Sequence, residues 1–435
     1  MANTIRAWTI AGLLAGAAAW GLATVAASSA DWPRFLGPGQ DSTSAETGLL
    51  LDWPEGGPPE VWRKRLGPSF SPPVVAKGTL IAFHRIGNDE VIEAVDARTG
   101  KTRWEFRYPT RYKDRYRYNG GPRSSPTIDA GCVYTYGAEG TLTCLDLATG
   151  RKVWQRALNK DVKAPQAFFG VGVPPVVDGD VVLLNPGGPD GAGIVGIAKA
   201  TGEVIWKATD HGASYSAPVV RTVNGRRLAF FLTAEGLVIL EPPTGKVIHT
   251  YPFRSVYRES VNAASPVVVG DVVMLSAAYR VGSAALQVTP EGLLPLWRDK
   301  ENLQNHWATS IHHEGFLYGV DGRHEEEATM RCVDWNSGIV MWTGPRGLGR
   351  MISILVEGHL LAMAERGHLV LIEANCERYV QKQCVKVLDP PCWAPPVLAN
   401  GRVYLRNETV LICLDLRAPK PPVAPDAGHG ATGDS

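Results

Sequence analysis

The chain has almost no surplus of charge: 44 Lys and Arg stand against 43 Asp and Glu in 435 residues. That balance argues against a dedicated polyanion binder and excludes nucleic acid as the expected partner. No long stretch carries apolar residues at 3.6-residue spacing, which excludes a helical bundle. There is no HExxH helix and no GxSxG elbow, so the simplest metalloprotease and α/β-hydrolase readings fall away. Cysteine is scarce, with seven in all and no adjacent pair. An odd count leaves at least one thiol unpaired in a monomer. The long uncharged run is confined to the front: Arg6 precedes Ala7 to Ala30, which ends in Ser28-Ser29-Ala30. This reads as a signal peptide over residues 1–30, cleaved before Asp31. The rival is a retained membrane anchor, to which Ala/Gly richness is poorly suited. No Cys lies near the cleavage site, so a lipid-modified N-terminus is not expected.

Glycine (47) and proline (32) are plentiful, which means frequent turns. A nonapeptide, DARTGKTRW at Asp96 to Trp104, returns as DLATGRKVW at Asp146 to Trp154. Weaker copies end at Trp206, His249, Trp297 and Trp342, and the repeated glycines 100, 150, 202, 245, 292 and 338 are spaced by 50, 52, 43, 47 and 46 residues. A unit of that size holds four short strands. A second marker, a Ser/Ala/Pro step into a β-branched run, occurs eight times, near residues 71, 125, 173, 217, 265, 309, 353 and 394. Within the Asp-x-x-Thr-Gly turn, Asp accepts local backbone bonds and Gly takes the positive φ.

Trp62 precedes the first marker, so its strand from Glu60 to Lys64 has no inner strands before it, while the last unit stops at Asp415 without a Trp strand. The N-terminal strand is therefore expected to complete the last sheet and close a ring without an open edge. The expectation is an all-β, eight-bladed propeller of four-stranded antiparallel blades over residues 60–417, preceded by an extended segment over 31–59 and followed by a mobile tail over 418–435. Trp62, Trp104, Trp154, Trp206, Trp297 and Trp342 are expected to cover seams between blades, with His249 standing in for a Trp.

These units resemble the pyrroloquinoline-quinone-type (PQQ-like) repeat shared by quinoprotein dehydrogenases and the propeller lipoprotein of the bacterial β-barrel assembly machinery. DWPRFLGP at Asp31 to Pro38, ASYSAPVV at Ala213 to Val220, NHWATS at Asn305 to Ser310 and YGVDGRHE at Tyr318 to Glu325 are similar to stretches of exported bacterial PQQ-like proteins. With the signal peptide cleaved, the expectation is a periplasmic or extracellular protein with no transmembrane domain, and the resemblance identifies a fold and a lineage. It does not by itself name a reaction.

A quinoprotein enzyme would need an acidic cofactor on an aromatic floor, Ca²⁺ on oxygen ligands and a carboxylate base. No such ligand set can be assigned, and the adjacent cysteines common in those enzymes are missing. Cofactors are therefore not expected, with PQQ and Ca²⁺ reserved for the alternative of an alcohol or sugar dehydrogenase in which His306 or Glu325 lies near the chemistry. No metal site is expected. Cys144, Cys332 and Cys413 occupy a core slot, and Cys376 and Cys384 are candidates for a disulfide.

Two constellations stand out as candidate ligand-binding sites at the loop-rich end. The segment Arg107 to Arg123 interleaves Arg115, Arg117 and Arg123 with tyrosines, a pattern suited to anions or planar rings, although a solvated charged loop would look the same. The sixth unit offers Asn305 and His306 together with Arg323, His324 and Glu325, joined at the same end by Tyr215 and Asn262. Metal binding, acid–base work and simple hydrogen bonding of the loops are all compatible with that set. The leading expectation is an exported, non-catalytic, monomeric propeller that presents a surface to an envelope protein or small ligand.

Overall fold

The computed structural model describes residues 30–257 and 260–418. The signal-peptide reading and nearly all of the tail lie outside those residues. Among the described residues the strands form eight antiparallel sheets of four. Blade one shows the pattern, with strands Val74–Ala76, Thr79–Ile86, Asp89–Asp96 and Thr102–Pro109 running from the channel outward. Its short first strand is wholly buried and its outer strand is largely exposed, as radial packing of wedges requires. The seventh marker, Ser353, lies inside its strand Met351–Val356 instead of before it.

The eighth sheet is completed from the front of the chain. Strand Glu60–Arg65 pairs antiparallel with Val410–Asp415, setting Trp62 opposite Cys413. Closure removes the last open edge of the ring.

Seams between blades reuse one contact. The indole Nε1–H of Trp154 donates to Lys199 O of the next blade at 2.9 Å, and its ring lies where a Cβ on Gly202 would sit, 2.6 Å away. Trp62, Trp104, Trp206, Trp297 and Trp342 donate in the same way to Ala97, Leu147, Pro242, Trp335 and Asn375. His249 Nε2 reaches Thr289 O at 2.9 Å. The turn beneath Trp62 is held by Asp96, whose carboxylate accepts from the Arg98 and Thr99 amides, and Gly100 has φ +73°; Asp146 and Asp334 hold the turns beneath Trp104 and Trp297 in the same way through the Thr149 and Ser337 amides. Between blades seven and eight the Trp position is held by Gln383, opposite Leu371. There the segment before the closing strand supplies the cover: Asp52 accepts from Gln383, Trp53 is buried, and Leu50 N donates to Leu416 O.

Cys144, Cys332 and Cys413 are buried, each opposite a seam Trp. The candidate disulfide is corrected, because Cys376 and Cys384 are both free thiols. Cys376 lies in the turn before strand Gln381–Lys386, and Cys384 lies three residues into that strand. Cys384 sits within the ladder, opposite Val370 of the preceding strand, and not in the turn that carries Cys376.

Residues 31–46 cross the channel. Trp32 pairs with Val75 of blade one, Gln40 exchanges hydrogen bonds with Pro218 O and Val220 N of blade four, and Thr43 bridges Leu355 of blade seven. The segment thus joins the innermost strands of widely separated blades.

Candidate functional site

Each blade's chain enters its innermost strand through an extended stretch, and extended chain points alternate residues the same way. The residues four positions before the strand starts are Phe70, Arg123, Gly172, Tyr215, Ala263, Trp307 and Trp393. All seven, with Arg350 from blade seven, line one cavity of about 260 Å³ on the channel axis. Phe35, Leu36 and Ser42 of the crossing segment complete its lining. The result is a cup floored by the N-terminal segment and walled by all eight blades.

Aromatic rings form a nearly continuous wall. Trp393 meets Phe70 at 4.5 Å, Tyr118 at 5.5 Å and Trp307 at 5.6 Å between centroids, and Phe169 joins Tyr118 to Tyr215. The arc is broken at blade five, where Val261 and Ala263 line the cavity.

Two guanidinium groups reach the cup, and both are committed. Arg350 makes a fork onto the carboxylate of Glu365, its Nη1 donates to Arg323 O at 3.0 Å, and its face lies 4.0 Å from the centroid of Trp307. Glu365 also accepts from Trp393 Nε1 at 2.6 Å. Arg123 donates to Asp114 at 2.8 Å and to Gly121 O at 3.0 Å, with its face toward Phe70 and Tyr112. The carboxylates sit behind the cationic groups and do not line the cup.

His306 faces the same cavity. Burial, reinforced by the charges of Arg350 and Arg323, lowers its pKa to about 3, so the imidazole is neutral. One ring nitrogen lies 3.1 Å from the Tyr279 hydroxyl, and the other 3.4 Å from Arg350 Nη1. Burial raises the pKa of Tyr279, with Arg323 stacked 4.4 Å over its ring opposing the shift.

Of the residues expected at a binding site, Arg123, Tyr215 and His306 come together in the cup. Asn305 is buried and committed, donating to Val320 O and accepting from Ser310 Oγ. Asn262 is likewise spent on Thr233 O and Phe253 O. Arg323 and His324 are exposed at the rim, and Glu325 pairs with Arg366 at 2.6 Å. Arg115 and Arg117 are exposed and do not line the cavity. Sequence reasoning missed Phe70, Phe169, Trp307, Arg350, Glu365 and Trp393 as site residues. Counting four residues back from each β-branched run finds Phe70, Trp307 and Trp393.

The lining holds no Asp or Glu. Among the described residues, no three His, Cys, Asp or Glu are placed to hold a metal ion. A Ca²⁺ site needs several oxygen donors, carboxylates among them, and an acidic quinone needs uncompensated cations. The cup's residues fit neither.

An eight-bladed ring with this repeat defines a PQQ-like propeller, and the family model described as outer membrane protein assembly factor BamB matches residues 88–344. The chain belongs to that family. It is 28% identical to BamB of Burkholderia pseudomallei over 232 residues, which cover 51% of this chain and 55% of that protein. It is also 28% identical to the quinoprotein ethanol dehydrogenase of Pseudomonas aeruginosa over 168 residues, covering 35% of this chain and 26% of the enzyme. The chain thus spans about half the length of one of these relatives and a quarter of the other. Among solved structures, BamB from Moraxella catarrhalis superposes with a TM-score of 0.60 at 14% identity, covering 82% of this chain and 97% of that one. The quinohemoprotein alcohol dehydrogenase from Comamonas testosteroni also scores 0.60, at 13% identity, covering 91% and 82%. An assembly factor and a dehydrogenase share the fold, so the fold does not choose between them.

Proposed function

We propose that this chain is an exported, non-catalytic propeller of the cell envelope whose loop-rich end, centred on the cup, takes up a ligand or an envelope protein. The observation that carries this reading is the convergence of all eight blades on one aromatic cavity that no carboxylate faces. Recognition surface is present there, without the paired acid and base or the metal donors that hydride removal from an alcohol would require. Family membership supports an envelope setting, and the relative's name supports a partner from outer membrane protein assembly. Among the described residues no helix is long and apolar enough to cross a membrane.

Photo-crosslinking tests the reading. A photoreactive residue replacing Tyr118, on the cup's rim, is expected to form adducts with an outer membrane assembly protein in intact envelopes. One replacing Ile339, exposed on the outer edge of blade six, is expected to form none. Adducts confined to position 339 would overturn the proposal. So would stoichiometric uptake of PQQ with Ca²⁺ accompanied by dye-linked alcohol oxidation.

A further inference from the structure

Resting on the reading of the cup as the binding surface, we infer that its ligand is a small, flat, uncharged aromatic ring system. Three observations converge on this chemistry.

The first is shape. Trp393, with Phe70, Tyr118 and Trp307 around it, presents ring faces and edges at centroid distances of 4.5 to 5.6 Å, surfaces against which a planar π-system stacks. The cavity, about 260 Å³, lies just under the ~300–1,000 Å³ of drug-sized pockets, which selects a compact ring system over an extended one.

The second is charge. Arg350 and Arg123 would invite an anion if they were free, but each is neutralised from behind. The side chains of Glu365 and Asp114 are only 5% and 0% exposed, and their partners 15% and 13%. An entering anion would shed its water for cations already satisfied, and an entering cation would meet guanidinium N–H groups first. His306 adds no charge, because its environment keeps the ring neutral. The third is access: Phe35 and Leu36 line the cup from the crossing segment, so a ligand enters and leaves at the loop-rich end.

The experiment uses one ring with three charges, namely 2-naphthamide, 2-naphthoate and 2-naphthylmethylammonium, titrated calorimetrically into the full chain. The amide is expected to bind at one per chain and at least about tenfold more tightly than either ion. Trp393→Ala is expected to abolish that binding. Glu365→Gln and Asp114→Asn each release a guanidinium, and each is expected to raise naphthoate affinity about tenfold while leaving the amide within a few-fold. The two act on different blades, so either carries the test if the other fails to fold in a melting curve. Wild-type preference for naphthoate, amide binding that survives Trp393→Ala, or no binding of any probe would each overturn the inference. Absent amide binding with adducts still forming at position 118 would sink the ligand class alone. Amide binding without those adducts would sink only the envelope-protein reading.

Discussion

Two rings of residues run around this propeller, one at the seams and one at the cup. At the seams, six blades place a Trp at the same register, donating to a backbone carbonyl of the next turn. At the cup the blades again contribute from equivalent positions, but the residues read Phe, Arg, Gly, Tyr, Ala, Trp, Arg and Trp. The contact that serves neighbouring blades recurs at seven of the eight seams, with His249 in place of Trp at one of them. The contact that serves the whole molecule occurs once, and its parts are free to differ. Periodicity of identity marks scaffold here, whereas periodicity of position with varied identity marks the site.

The largest expected effect breaks that contrast on its structural side. Trp154 is buried, stacks over Gly202 and satisfies Lys199 O, so Trp154→Ala should cost about 3–5 kcal/mol in urea unfolding. Trp393→Ala, on a half-buried side chain open to the cup, should cost roughly 1–2 kcal/mol. Equal losses would mean that the cup ring is scaffold as well.

The next prediction concerns the seam where the chain's front meets blade one. Lys64 of the closing strand contacts Glu93 at 2.9 Å, and Glu93 is hydrogen-bonded by buried His84 and by Thr102. Burial pushes the Glu93 pKa up, but the bonds from His84, Thr102 and Lys64 prevail and hold it at about 2. A folded value below the unfolded one means that the unfolded state binds the proton first. The stabilisation is then complete above about pH 4.5 and lost as pH falls toward 2. It amounts to about 3 kcal/mol, and Glu93→Gln should remove that acid-dependent portion. Melting temperatures of wild type and variant that run parallel below pH 4.5 would detach this latch from closure.

The seam ring was legible in the sequence because it repeats: the DxxTG…W copies gave the outer strand, the eight Ser/Ala/Pro steps gave the blade count, and Trp62 ahead of the first step gave the circular closure. The cup was legible only in part. Arg123, Tyr215 and His306 were singled out by their chemistry, but Glu365 and Asp114, which set the cup's charge, carry no local signal because their partners come from elsewhere in the chain or through a loop's fold. Asn262 and Asn305 look like free polar ligands in sequence, yet their amides are consumed by backbone groups of the same end. The crossing of the channel by residues 31–46 was hidden for another reason. A single extended segment has no repeat to be compared with, and its partners are mostly backbone groups, which sequence does not distinguish.

The smallest effect sharpens the cup itself. His306 has its pKa lowered to about 3 by burial and by Arg350, Arg323 and His324, with Tyr279 as its neutral partner. In the unfolded chain the imidazole protonates near pH 6.5, whereas the folded ring stays neutral, so the unfolded state gains protons across that interval and stability falls as pH drops from 6.5 toward 3. His306→Gln removes this titration. Unfolding midpoints of the variant should therefore fall less steeply than those of wild type between pH 7 and 5, a window above the titration of Glu93. If the two profiles coincide, the imidazole is hydrated or protonated in the folded protein, and the cup carries a positive charge that would favour an anionic ligand over a neutral one.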